Sequence, residues 1–428
     1  MRGDHRRRLA RTSFICGAAS FVIGTAHAQQ EEQEQGTGVR DRARPEYDAS
    51  GIKAGAFRLY PSVVLSADYN DNIYAVATPR LDDVYLRAEP SLLLASGWSR
   101  HEFTAEVGGR VERYVDTENE NNEEYYAKAG GRLDIGGATT IKASGYYGHL
   151  VDARSNNAFD DGNTALLTAE PISYDLAKAE AGFSHVINRL RLSGEASFQS
   201  YDFEDQPLIG GGVSDQDVRD RDVTQYKGQA DWAISPDTSF FVRGAVNNWD
   251  YDLAPPEAPY DRDSNGYEIV GGANFKLGHL ASGEVFVGYQ EQNFDDDARL
   301  STVSAVDYGA AIYWYLSQLT TVTVNVESDI KPSTVADASS FLRQDAQVTI
   351  DHELLRNVLL QARASYGRDE FDDITRTDEW VSGGVRADYL LNRNARVFAA
   401  IDYIDHASNV PINDYKQTVV SLGVKFQL

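Results

Sequence analysis

The chain has 428 residues, 42% hydrophobic and 25% charged, with Gly 35, Tyr 24, one Cys and one Met. Lysine and arginine number 40 against 65 acidic residues, a net charge of −25, which excludes a nucleic-acid binder because that work needs a basic face. Beyond residue 28 no run reaches the roughly 18 apolar residues of a membrane-spanning helix, so composition points to an exported all-β protein.

Residues 1–28 begin with Arg2, Arg6, Arg7, Arg8 and Arg11, run apolar from Phe14 to Gly24, and end Ala26-His27-Ala28. A charged start, a short apolar middle and a small-residue exit make a signal peptide. Cys16 lies inside it without the small preceding residue that lipidation needs, so the mature chain keeps no thiol and no disulfide. Residues 29–50 are polar with no apolar period and read as a flexible segment.

From Phe57 onward the pattern is period-2 alternation. In TVTVNVE, Val322, Val324 and Val326 share one face, and Thr321, Thr323, Asn325 and Glu327 the other. A helix would bring apolar residues back three and four positions later, so these are strands. The pattern predicts strands at 57–71, 84–96, 101–116, 123–135, 139–152 and 172–187. It continues at 190–203, 222–234, 238–253, 264–277, 281–295 and 304–315. The last six are 320–330, 340–353, 357–371, 377–390, 394–405 and 415–428.

The connections alternate strictly between short (GGA, INR, SPD, LNRN) and long, acidic or Gly/Pro-rich stretches. A bacterial outer-membrane barrel has short periplasmic turns, long extracellular loops and an even strand number. The expected architecture is therefore all-β: an 18-stranded antiparallel transmembrane β-barrel over residues 51–428. Residues 29–50 would then lie in the periplasm, and closure would satisfy every backbone polar group in lipid.

Alternation also assigns the faces. Tyr69, Tyr85, Tyr114, Tyr125, Tyr389 and Tyr403, with Trp98, Trp232 and Trp314, suit aromatic girdles. The opposite face would line the lumen with Arg58, Arg87, Arg110, Arg132, Arg191, Arg243, Arg363, Arg386 and Arg396. Lys142, Lys227, Lys276 and the acids Glu106, Glu112, Glu195, Glu268, Glu284 and Glu327 would join them. Mixed charge of this kind forms either selectivity rings or a cross-strand salt-bridge lattice. At the C-terminus Ser421, Gly423, Phe426 and Leu428 sit where bacterial barrels carry their assembly signal, so the barrel-assembly machinery is an expected partner.

The opening of the barrel resembles a known family. Arg44, Pro45, Tyr47 and Asp48 match its R-P-x-Y-D segment; Gly55, Phe57, Leu59, Tyr60, Pro61 and Ser62 match G-x-F-x-L-Y-P-S. Tyr69, Asp71, Asn72, Ile73 and Tyr74 match Y-x-D-N-I-[FY]. In these motifs the chain resembles the outer-membrane family called putative β-barrel porin 2. Many such proteins are associated with secretion of surface polysaccharide in Gram-negative bacteria. The resemblance thus implies a passive conduit for an extracellular polysaccharide, with periplasmic export proteins as partners. Outer-membrane lipid and lipopolysaccharide would surround it. The alternatives are a general diffusion porin, marked by a constriction loop from 153–171 or 204–221, and a closed structural or adhesion barrel. No catalytic or metal motif stands out, so neither an enzyme nor a cofactor is expected.

Overall fold

The computed structural model describes residues 36–155 and 168–428. The expected signal peptide lies outside the described residues. Among these described residues eighteen long strands succeed one another. The first six are β1 (Phe57–Asn70), β2 (Asp83–Ser96), β3 (Glu102–Tyr114), β4 (Asn122–Ile135), β5 (Thr139–Val151) and β6 (Ser173–Ile187). Next come β7 (Leu190–Phe203), β8 (Arg221–Ser235), β9 (Thr238–Tyr251), β10 (Ser264–Leu277), β11 (Ala281–Phe294) and β12 (Val303–Ser317). The remainder are β13 (Thr320–Pro332), β14 (Ser340–Leu355), β15 (Val358–Phe371), β16 (Thr377–Leu390), β17 (Ala395–Ser408) and β18 (Tyr415–Gln427).

Each strand pairs antiparallel with the next, and β18 returns to β1, Ser62–Asn70 facing Val419–Gln427. The sheet is therefore a closed barrel, the arrangement that leaves no strand edge in lipid. All eighteen strands expected from alternation are present, with short turns at one end and long loops at the other. Two small ladders were not foreseen. Ile52–Ala54 folds back on Phe57–Leu59, and Gln206–Pro207 pairs with Val213–Ser214.

The two faces separate as the alternation requires. On β11, Val285, Val287 and Tyr289 are exposed to the surroundings, whereas Ser282, Glu284, Gln290 and Gln292 are buried inward. Tyr69, Tyr125, Tyr389, Tyr403, Trp98, Trp232 and Trp314 stay on the exposed side. Tyr85 and Tyr114 do not: Tyr85 shares its parity with Asp83 and Arg87, and its ring stacks on Tyr114 inside the wall at 4.7 Å. They belong to the lumen rather than to a girdle.

The segment expected to be flexible also differs over its described part. Gly36–Ser50 is folded against the inside of the short-turn end of the barrel. Val39 is fully buried against Leu359 and Leu390, two inward-facing leucines at the ends of β15 and β16.

Candidate functional site: a charged lumen narrowed at both mouths

Strand pairing sets opposite charges side by side along the inner wall. Arg87 meets Glu112 at 2.8 Å, and Arg110 lies between Glu89 at 3.1 Å and Glu124 at 3.2 Å. Lys128 binds Glu106 at 2.9 Å, Arg132 binds Asp134 at 3.2 Å, and Lys227 binds Glu195 at 3.3 Å. Arg243 sits between Glu268 and Glu284, at 3.4 and 3.1 Å, with its guanidinium over the Phe286 ring. On the opposite wall Arg363 reaches Asp402 at 2.6 Å, and Arg386 binds Asp388 at 3.0 Å over the Phe398 ring.

The remaining sequence candidates lie on the same inner face in other settings. Arg58 donates to the Ser50 carbonyl at the short-turn mouth, at 2.7 Å. Arg191 is exposed and stands opposite Asp231, Arg396 stands opposite Lys425, and Glu327 opposite Asp345. Lys142 faces Arg132, and Lys276 stands near the end of β10. The structure thus joins most of the candidates into cross-strand pairs. Several lattice members were missing from the sequence reading, among them Glu89, Glu124, Lys128, Arg343 and Asp369. Alternation alone would have placed each of them on the inner face.

Of the terminal residues, Ser421 donates its hydroxyl to Asp68 across the closing ladder, and Phe426 and Leu428 face outward. A Cβ at Gly423 would come within 2.4 Å of the Phe398 ring and 2.8 Å of the Leu65 carbonyl, so glycine is required there.

The short-turn mouth is crossed by the N-terminal segment. The Val39 amide donates to Thr321 Oγ1 at 3.0 Å, and Arg40 bridges Asp351 and Asp388 at 2.7 and 2.9 Å. Burial opposes the Arg40 charge, but the two carboxylates hold its pKa above the ordinary value. Arg44 binds Glu353 at 2.7 Å, while the Pro45 and Tyr47 carbonyls accept from Arg393 and Gln427. The R-P-x-Y-D segment therefore clasps this end of the wall up to β18. The second motif does so at the other end: Asp71 accepts from the Thr418 amide at 2.6 Å, and fully buried Asn72 donates to the Lys416 carbonyl at 2.9 Å.

The long-loop mouth is narrowed by the tops of β13 and β14 with their connection, 333–339. Ser328 and Ile330 pack against the inner face of the neighbouring strands, and Ile330 joins Trp249, Tyr251, Phe294, Leu300 and Val303. Arg262, from the loop after β9, holds the tip with one Nη1 on the Ser333 and Ala338 carbonyls, both at 2.6 Å, and Nη2 on the Val335 carbonyl at 3.0 Å. Tyr260 adds a hydrogen bond to Asp337. Among the described residues this hairpin is thus an inward element at the long-loop mouth. From 153–171, buried Arg154 binds Glu120 at 2.7 Å beside the Tyr74 ring, and the Ser155 carbonyl accepts from Tyr415 of β18. The described residues 204–221 pack at the rim, through Arg219 to Asp152 at 2.6 Å and Ala169 to Pro207 at 2.7 Å. Ile209 and Val213, at the tip of the second loop, are exposed.

Among the described residues Asp205, Asp215 and Asp217 are the group close enough to share a cation, and all three are exposed on that loop. Burial and the neighbouring acids Asp202, Asp217 and Asp252 push the nearby Asp220 carboxyl up to about 6, against the Phe203 amide that it accepts from. In the loop after β15, beside the tip of the inward hairpin, burial, with Asp373 and Glu370, raises Asp372 to about 6.

Solved structures to which the chain is similar include OpdL of Pseudomonas aeruginosa, 13% identical with a TM-score of 0.43, covering 87% of this chain and 98% of that one. OprD of the same organism is 13% identical with a TM-score of 0.43, covering 89% and 99%. The siderophore receptor PiuA of Acinetobacter baumannii is 11% identical with a TM-score of 0.45, covering 89% and 82%. No curated protein matches the sequence. Residues 44–428 match the family described as Putative beta-barrel porin 2. With the match running from the clasp at Arg44 through the whole closed barrel, the chain belongs to that family of outer-membrane porins.

Proposed function

We propose that the barrel is a passive channel for small polar solutes. The inward hairpin Ser328–Phe341 carries this reading, because it narrows the long-loop mouth where a wide conduit for a polymer would need clearance. The N-terminal segment narrows the other mouth in the same way. Between them the paired charges offer a solute many weak polar contacts and no deep trap, which is what conduction requires.

The polysaccharide conduit implied by family resemblance has one feature in its favour. Tyr126 and Tyr146 are stacked on the inner wall 6.2 Å apart, and such rings suit the apolar faces of sugars. A closed structural barrel draws support from the density of the ion pairs.

Single-channel recording of the refolded barrel in planar bilayers, with and without acidic or neutral polysaccharide, separates the three. Steady conductance indifferent to polysaccharide is the expected result. Conductance that flickers shut when polysaccharide is added would replace this reading with the conduit. A folded, heat-modifiable barrel that never conducts would leave the structural reading.

A further inference from the structure

The wall is unzipped between the upper halves of β12 and β13. Their ladder runs from Ser317 opposite Thr320 up to Gly309 opposite Glu327 and stops there. On their other sides both strands stay paired to the top, β12 with β11 as far as Val303 and β13 with β14 as far as Pro332. Above Gly309 the top of β13 has moved across the inner face of β12 and β11. Side chains bond some of the backbone groups that the ladder leaves: Gln290 accepts from the Ile330 amide at 3.1 Å and donates to the Ser328 carbonyl at 3.4 Å. Ser328 Oγ donates to the Val306 carbonyl at 3.1 Å.

The sequence also fits the zipped arrangement. Continuing the observed register would set Tyr308 opposite Ser328, Asp307 opposite Asp329, Val306 opposite Ile330 and Ala305 opposite Lys331. Ile330 would then stand on the outer face between Val306, which is 58% exposed there, and Leu342, its partner on β14. That is the phase of Val322, Val324 and Val326, so the apolar stripe of β13 would continue unbroken on the lipid side. Asp329 and Lys331 would keep the lumen face. A strand whose outward apolar residues are buried inside the barrel, with a Gln standing in for its neighbour, has two competing places to bond.

We infer that the β13–β14 hairpin is a gate with two registers. In the tucked register it closes the long-loop mouth and is latched by Arg262. In the zipped register Ser328–Pro332 joins Ser304–Tyr308 in the wall, the mouth widens, and Trp249, Tyr251 and Phe294 are uncovered toward the lumen. The tucked state bonds part of this strand backbone through Gln290 and Ser328, and the zipped state would bond it through the ladder, so forces on the loop tip select between them. The gate rests on the channel reading above.

The test is a cross-link that only the zipped register can form. Ala305→Cys with Lys331→Cys would face one another across a non-hydrogen-bonded pair, with Cα atoms about 4.5 Å apart and within disulfide reach. In the tucked register Lys331 points to the far side of the hairpin and binds Asp329. Cys16 is the chain's one native cysteine and lies in the N-terminal stretch. In refolded, heat-modifiable barrel, mild oxidant is expected to cross-link the pair, faster when Arg262→Ala is added. Conductance should rise severalfold and fall again with reductant. A folded barrel that never cross-links, even with Arg262→Ala, overturns the gate. So does one that conducts and is indifferent to the cross-link, with the channel reading left standing. A barrel that cross-links yet conducts in neither state overturns the channel reading and the gate with it.

Discussion

Arg243 and Arg363 show how far the worth of an inner-wall cation depends on its surroundings. Arg243 is 6% exposed and wedged between two carboxylates on β10 and β11. Its removal strands Glu268 and Glu284 in a buried site, a loss of about 3–5 kcal/mol. The Arg363–Asp402 pair is half open to the lumen, and water screens it to roughly 0–1 kcal/mol. Arg243→Ala is therefore expected to lower the denaturant midpoint of the heat-modifiable form strongly, and Arg363→Ala hardly at all. Equal midpoints for the two variants would mean that the lattice is not a source of stability. Both arginines were legible in the sequence, because alternation gives the face of every strand residue. The inner-face acids Glu268 and Glu284 were legible too, but not which arginine each would pair with, because register across a barrel is fixed by pairing and not by composition. Tyr85 and Tyr114 were misplaced for a different reason: aromatic residues near strand ends fit a girdle by type, whereas their parity with Arg87 and Glu112, present in the sequence, already turns them inward.

At the scale of elements, the segments that matter for passage are those with the weakest signals of their own. Gly36–Ser50 holds one buried apolar anchor, Val39, and binds through Arg40, Arg44 and the Pro45 and Tyr47 carbonyls to residues three hundred or more positions away. No local period announces such a strap. Replacing Arg40 and Arg44 together by alanine should release it, so that protease cuts within 36–50 in otherwise intact barrel and conductance increases. Protection equal to wild type would show that Val39 and the backbone contacts suffice. The hairpin was hidden for the opposite reason, since its alternation is as regular as that of any strand in the wall. Beside its tip, the loop after β15 carries a pH handle in Asp372, whose amide donates to the Ser340 carbonyl at 3.0 Å and whose carboxyl is raised to about 6 by burial, Asp373 and Glu370. A raised carboxyl means that the folded loop binds its proton more tightly than the unfolded one. Stability contributed here is thus present at low pH and lost as pH rises from the ordinary carboxylate value through about 6. Closed periods in single-channel records should lengthen on acidification across that window. Asp372→Asn should remove the change, and a dependence that survives it would place the titrating group elsewhere.

The whole molecule was the most legible level, because its constraints are global. Eighteen alternating segments joined by alternating short and long connections leave an even, closed, antiparallel barrel as the arrangement that satisfies all backbone groups in lipid. The family motifs gain a physical role only in the closed form, where they clasp the two ends of the β1–β18 seam. Charge is also distributed at this scale. The inner wall is mixed and largely paired, whereas the long loops are acidic: Asp205, Asp215, Asp217 and Asp220 accompany Arg219, and Asp295, Asp296 and Asp297 accompany Arg299. The rim therefore presents a one-signed field to an approaching ion, and the wall does not. A rim field acts through water and is screened with a Debye length of about 10 Å at 0.1 M salt. Reversal potentials under a salt gradient should show cation preference at low ionic strength that fades as salt increases. Preference that persists at high salt would move the selecting charges from the loops into the lattice, and anion preference would show that the cations facing one another at Arg396 and Lys425 dominate the passage instead.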